Sequence, residues 1–280
     1  MMDTTFYMQL DALIGHHEYD KAEEFLLEAF QEASADEQNH ADRITVSNEL
    51  MGFYRERNRL QECEHYMKVL LREIRHLRLK GGLEYATLML NVSNANRVLG
   101  NLDEAERYFL IVKDIYEKEL PSNDYRLATL YNNLSLVYRE RGENEKAMPL
   151  MKKALEIVRA LPGAGRAAAV SCINIANLLV IMGNADEADE YAKSAMGLLE
   201  SAGQSDGIDY AAALAAGAKA ALLRSDYDTA LRNYEDAGKL MKNDSGRTDA
   251  YRAIIGRQIE ILEMSGRKEE AERLRKEIEQ

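Results

Sequence analysis

The stretch that decides the fold runs from Leu99 to Glu117 and reads LGNLDEAERYFLIVKDIYE. It opens on a glycine, passes through a short acidic turn to Ala105, and becomes an amphipathic run. Two further stretches follow the same plan, RGENEKAMPLMKKALEIV from Arg141 and MGNADEADEYAKSAMGLLE from Met182. Self-similarity at a fixed period is the signature of a repeat architecture. With Ala105 as anchor, the small residue recurs as Ala22, Cys63, Ala105, Ala147, Ala188, Ala230 and Ala271, at steps of 41, 42, 42, 41, 42 and 41 residues.

Other positions keep step with the anchor. Five residues before it stand His17, Asn58, Gly100, Gly142, Gly183, Ser225 and Gly266. Glycine ends a helix readily because it enters the left-handed region without a Cβ clash, and asparagine is the usual second choice. Two residues before the anchor the chain is acidic (Asp20, Asp103, Glu145, Asp186, Asp228, Glu269), with Gln61 the exception. Acid there complements the dipole of a starting helix. Seven residues after the anchor come Ala29, Leu70, Val112, Ala154, Ala195, Ala237 and Ile278, two turns on and on the same face. Twelve before it are Leu10, Met51, Ser93, Ser135, Ala176, Ala218 and Ile259; nine before are Leu13, Tyr54, Asn96, Tyr138, Leu179, Ala221 and Leu262. These predict the buried stripe of a preceding helix. Each unit is a helical hairpin that buries its apolar faces only by stacking on neighbours. The last, RKEEAERLRKEIEQ, is short and charged, as a solvent-facing end cap requires.

Composition agrees. The 280 residues are 46% hydrophobic and 30% charged, with only 3 prolines and no tryptophan, and are dominated by helix formers. A net charge of −12 argues against nucleic acid, whose phosphates need a basic face, and offers no basic patch to anionic lipid. No secretion signal or membrane-spanning run is legible. Two isolated thiols, Cys63 and Cys172, suit a reducing compartment, so the expected location is the cytoplasm.

A small residue at the turn, alanine five later, alanine seven after that and an aromatic four before the turn resemble the tetratricopeptide repeat. The period of 41–42 and the segment YNNLSLVYRERG (Tyr131–Gly142), followed by KALEIV, resemble the kinesin-light-chain type. The middle three units match best; His17, Cys63 and Ser225 depart from the expected Gly or Ala. The resemblance implies an all-α, right-handed α-solenoid (superhelix) of about seven antiparallel hairpins in one domain spanning 1–280. The units are placed at about 3–34, 37–79, 82–119, 122–161, 164–202, 206–243 and 245–280.

The resemblance also implies that the first helix of each hairpin lines a concave surface. Fourteen residues before the anchor stand Met8, Glu49, Asn91, Asn133, Asn174, Ala216 and Arg257; three further along are Asn94, Leu136, Asn177 and Lys219. Eight before it are Arg55, Arg97 and Arg139, then Val180, Leu222 and Glu263. The expected peptide-binding groove therefore carries an amide row (Asn91, Asn94, Asn133, Asn174, Asn177), with Lys219, beside an arginine row (Arg55, Arg97, Arg139). It turns apolar at Val180, Ile181, Leu222 and Leu223. An amide donates and accepts together, which suits an extended main chain, and arginine grips carboxylates in pairs of bonds. The expected partner is a protein or peptide with an acidic segment or a free C-terminus. The asparagines have a second reading, as braces between neighbouring hairpins, and the arginines a second one, as solvated or paired with Glu56 and Glu140. The carboxylate-clamp pattern of the family does not map residue by residue.

No nucleophile with its base, cofactor motif or metal spacing is legible, so a protein-binding scaffold or adaptor is expected rather than an enzyme. His16 and His17 are adjacent, and Cys63 and His65 are two apart, so neither pair shares a helix face. Gly81-Gly82 reads as a turn between hairpins, not a phosphate loop. The sequons at Asn91 and Asn133 fall inside helices and read as accidental. Pro149 is expected to kink its helix or mark a shifted start. The alternative function is a peptide-gated regulator; because repeats begin by about residue 3, it is expected to lack a DNA-binding domain of its own. Self-assembly as a homodimer, through the first unit or the convex face, is a further reading.

Overall fold

Helices start and stop where the anchor register places them. The protein is described by a computed structural model, which covers residues 4–245 and 249–278. It contains α1 (Thr4–Gly15) and α2 (Tyr19–Ala35), α3 (His40–Glu56) and α4 (Leu60–His76), and α5 (Gly82–Val98) and α6 (Leu102–Glu119). After these come α7 (Tyr125–Glu140) and α8 (Asn144–Arg159), α9 (Gly165–Ile181) and α10 (Ala185–Ser201), α11 (Ile208–Leu223) and α12 (Tyr227–Ser245), and α13 (Asp249–Met264) and α14 (Lys268–Ile278). Each successive pair packs as a hairpin. The result is an all-α tetratricopeptide-type solenoid; the described residues contain no strand. Residue 3, residues 246–248 of the seventh unit and residues 279–280 lie outside the described residues. So does the side chain of Ile278.

All seven turn residues adopt positive φ: His17 (59°), Asn58 (56°), Gly100 (78°), Gly142 (75°), Gly183 (80°), Ser225 (58°) and Gly266 (78°). One pair of backbone bonds recurs with them. In the Gly142 turn, Gly142 N–H donates to Arg139 O at 2.9 Å and Glu143 N–H donates to Tyr138 O at 2.8 Å. In the Ser225 turn the same bonds run from Ser225 to Leu222 O and from Asp226 to Ala221 O. This closure satisfies the last carbonyls of the first helix and reverses the chain within a few residues. Where glycine is absent the left-handed backbone costs roughly 1–2 kcal/mol.

The chain clusters into two compact units, Met1–Ser122 (α1 to α6) and Asn123–Gln280 (α7 to α14). In the first, the core is built from fully buried Leu26, Leu50, Met51, Leu70, Met89, Phe109 and Tyr116. Buried Arg43 fastens the α2–α3 loop by donating to Ala33 O, Asp36 O and Glu37 O, and it pairs with buried Glu73 at 3.3 Å. In the second unit, Ala176, Ala192 and Ala216 meet where α9, α10 and α11 pack, and alanine lets those helices approach closely. Tyr234, Tyr251, Ile254, Ile255, Ile259 and Leu262 join α12 and α13 in one core. Every anchor residue from Ala22 to Ala271 is buried, as is each described stripe position except Leu13, which is half-buried. Pro149 corrects one expectation: α8 starts at Asn144 and runs through the proline, whose ring is exposed, so the start is not shifted.

Candidate peptide-binding surface

In the first unit, α3 and α5 pack side by side and bring two amides together. Asn91 Nδ2 donates to Asn48 Oδ1 at 3.0 Å, and Asn48 Nδ2 donates to Glu49 Oε1 at 3.1 Å. Asn91 thus braces one hairpin against the next. Beside it lies a cavity of about 180 Å³ lined by Leu10, Ile14, Asn48, Glu49, Arg55 and Asn91, among others. Arg55 Nη2 stands 3.7 Å from Glu56 Oε1, and its Nη1 is buried with no hydrogen-bond partner among the described residues. Burial pushes the Glu49 carboxyl up, as do the charges of Asp11 and Glu56, against the opposing bond from Asn48. Two carboxylates therefore surround the one guanidinium, so this cavity favours no anion. Asn94 and Arg97 are half-buried further along α5.

In the second unit the same registers look different. Asn133 on α7 is half-buried and Asn174 on α9 is exposed; neither amide is bonded to another group among the described residues. Arg139 is half-buried and has no carboxylate within ion-pair distance among the described residues. Asn177 Nδ2 donates to Ile173 O at 3.0 Å, which turns its oxygen to accept from Lys219 Nζ at 2.7 Å across the α9–α11 contact. Burial, and then the charge of Arg257, hold the Lys219 ammonium below its ordinary value. Arg257 has its own carboxylate, Glu260, at 2.6 Å. Among the described residues Lys219 has none, and the half-buried cation is held by the Asn177 amide. Ala216, in the same register as the open amides, is buried, so the row is interrupted on α11.

The chain resembles known proteins in both sequence and fold. Residues 84–160 match the tetratricopeptide repeat family. That stretch is tetratricopeptide repeat. Among solved structures, a putative kinesin light chain from Podosopora anserina with nearly identical TPR-like repeats is similar at TM-score 0.65 and 17% identity, covering 72% of this chain and 95% of that one. The apo form of RapI is similar at TM-score 0.77 and 12% identity, covering 97% of this chain and 74% of that one. A Rap protein complexed with Competence and Sporulation Factor is similar at TM-score 0.63 and 16% identity, covering 96% and 74%. At these identities the likeness is one of fold. No curated protein matches by sequence.

Two features of the chain are missing from the register reading above. Asn48 lies one residue off the amide row yet supplies Asn91's partner, which only side-by-side packing of α3 and α5 reveals. Met264, seven residues before Ala271, extends the apolar end noted at Ile181 and Leu223: the three are 64%, 45% and 63% exposed, and each ends the first helix of its hairpin. Seven residues are two helical turns, so Ile181 lies on the face of α9 that carries Asn174. The exposed row was detectable from the anchor register, which reads Ile181, Leu223 and Met264 in succession.

Proposed function

We propose that this protein is a scaffold or adaptor that holds an extended protein segment along the first-helix faces of its second unit. The open amides of Asn133 and Asn174 pair with the segment's main chain. Lys219, positioned by Asn177, takes a carboxylate, either an acidic side chain or a C-terminus, and Arg139 adds a second cationic contact. The apolar ends at Ile181, Leu223 and Met264 receive hydrophobic side chains.

The observation that carries this reading is the Lys219 ammonium, half-buried and lowered in pKa, whose one partner among the described residues is the Asn177 carbonyl. An arriving carboxylate offsets the desolvation that the folded protein bears there; a hydrogen bond to a charged group contributes about 1.5–3 kcal/mol. The similar Rap protein complexed with Competence and Sporulation Factor supports ligand binding on this fold. The proposal places the protein in the cytoplasm, without a cofactor and without catalysis. Among the described residues no helix is long and apolar enough to cross a membrane.

The test is selection of a displayed peptide library on wild type and on Lys219→Met. Wild type is expected to enrich peptides that combine a carboxylate with large apolar residues, and the variant to lose them. Equal enrichment on both proteins overturns the assignment.

A further inference from the structure

The chain is acidic overall, but the expectation that it has no basic patch is corrected here: the segment from Lys68 to Lys80 carries Lys68, Arg72, Arg75, Arg78 and Lys80 against one carboxylate, Glu73. That carboxylate is buried and already engaged by Arg43 and His40. Beside this segment, within the first unit, a cleft of about 890 Å³ opens between α4, the α4–α5 turn, α5 and α6. Its floor is apolar, with Leu71, Ile74, Met89 and Ile111. The lining also includes Arg75, Arg78, Lys80 and Arg107, together with Tyr85 and Tyr108. Glu104 neutralises Arg107, whose guanidinium also lies 4.1 Å from the Tyr108 ring centroid. Arg75 donates through Nε to Leu71 O, and no carboxylate pairs with Arg75, Arg78 or Lys80 among the described residues. Leu77 and Leu79, exposed on the same turn, extend the apolar surface.

The backbone adds an independent sign. Arg78 sits at φ 51°, in the left-handed region, where the α8–α9 and α10–α11 turns of the second unit carry Gly163 (74°) and Gly203 (68°). An arginine is held at a position that a glycine would occupy without strain. The cleft is also separate from the amide row: it uses Tyr85 and Met89 of α5, whereas Asn91, 200° round the helix from Met89 by a 100° step per residue, lines the cavity with Asn48.

We propose that this cleft is a second binding site, taking an acidic linear segment of a partner protein that inserts a large apolar side chain between Tyr85 and Tyr108. Three cations, Arg75, Arg78 and Lys80, that have no carboxylate partner among the described residues select the acidic flanks, and Leu71, Ile74, Met89 and Ile111 take the apolar side chain. A peptide supplies both chemistries on one chain, which an inorganic anion does not. The volume falls within the roughly 300–1,000 Å³ of ordinary binding pockets.

The experiment uses fluorescein-labelled synthetic peptides and anisotropy on the full chain carrying Lys219→Met, so that the second unit's cation does not contribute. The probes are a peptide alternating glutamate with leucine and phenylalanine, its lysine-for-glutamate counterpart, and its alanine-for-apolar counterpart. Only the first is expected to bind, with affinity that falls as salt rises. Arg78→Glu/Lys80→Glu is expected to weaken it at least about tenfold. Arg78→Gly is expected to weaken it several-fold while leaving the melting temperature unchanged or higher, which separates lost charge from lost folding. Failure of the acidic apolar peptide to bind, or binding that Arg78→Glu/Lys80→Glu leaves unchanged, overturns the proposal. Concentration-dependent self-association in sedimentation that the same double variant abolishes assigns the cleft to a second copy of the chain and overturns it equally.

Discussion

The two units are built from the same hairpin but treat their polar rows in opposite ways. In the first, Asn91 is spent on Asn48, and Arg55 stands among Glu49 and Glu56. In the second, Asn133, Asn174 and Arg139 lack partners among the described residues, and Lys219 has an amide where a carboxylate fits. The backbones differ as well. The first unit places His17, Asn58 and Arg78 at positive φ; the second places only Ser225 there and otherwise uses glycine. A repeat can therefore keep its hairpin geometry while the same register serves cohesion in one place and reception in another. What changes is whether a neighbouring side chain happens to reach it.

Replacing Lys219 by methionine should break the contrast most sharply. Affinity for a carboxylate-bearing peptide should fall by about 1.5–3 kcal/mol, the range for a hydrogen bond to a charged group. The melting temperature should hold or rise, because a half-buried unbalanced charge is removed. Titration calorimetry with thermal denaturation checks both, and a loss of stability instead would make Lys219 a structural residue. A smaller effect concerns the turns. Gly142→Ala should destabilise by about 1 kcal/mol and His17→Gly should stabilise by about 0.5–1 kcal/mol, since an L-residue in the left-handed region costs roughly 1–2 kcal/mol and added glycine freedom returns part of it. Nothing lies within 4 Å of a Cβ added at Gly142, so the effect there is backbone strain alone. Urea denaturation of both variants measures the difference.

The amide rows predict a crossed pair of outcomes of similar or smaller size. Asn91→Ala should destabilise by about 0.5–1.5 kcal/mol, one net hydrogen bond, with peptide affinity retained. Asn174→Ala should leave stability within about 0.5 kcal/mol, as exposed substitutions do, and weaken peptide binding. If both variants change only stability, the second unit's amides are braces too. The finest test is pH. The Lys219 pKa is lowered in the folded chain, so the unfolded chain holds that proton more tightly. The penalty is present in full below the lowered value and is relieved as pH rises from there towards the ordinary lysine value. Stability from this group should thus increase with pH in that window, while affinity for a carboxylate peptide should decrease. Both trends should vanish in Lys219→Met.

The sequence alone determined the fold through its 41–42-residue step: anchors, turn residues and stripe positions fall where helix periodicity and left-handed stops require. Local physics suffices there, because a buried alanine and a positive φ constrain residues near in sequence. The sequence also named Asn91, Asn133, Asn174, Asn177 and Lys219, but not which of them are occupied. Asn48 reaching Asn91, Asn177 reaching Lys219, and Glu56 standing by Arg55 are contacts decided by packing and rotamer, and two of the three join helices about 42 residues apart. The basic cleft lies further still from the linear pattern: Arg78 and Arg107 line one space only because α4 and α6 flank it. Periodicity places a side chain on a face; only the tertiary structure decides what stands opposite it, since that depends on side chains contributed by another helix.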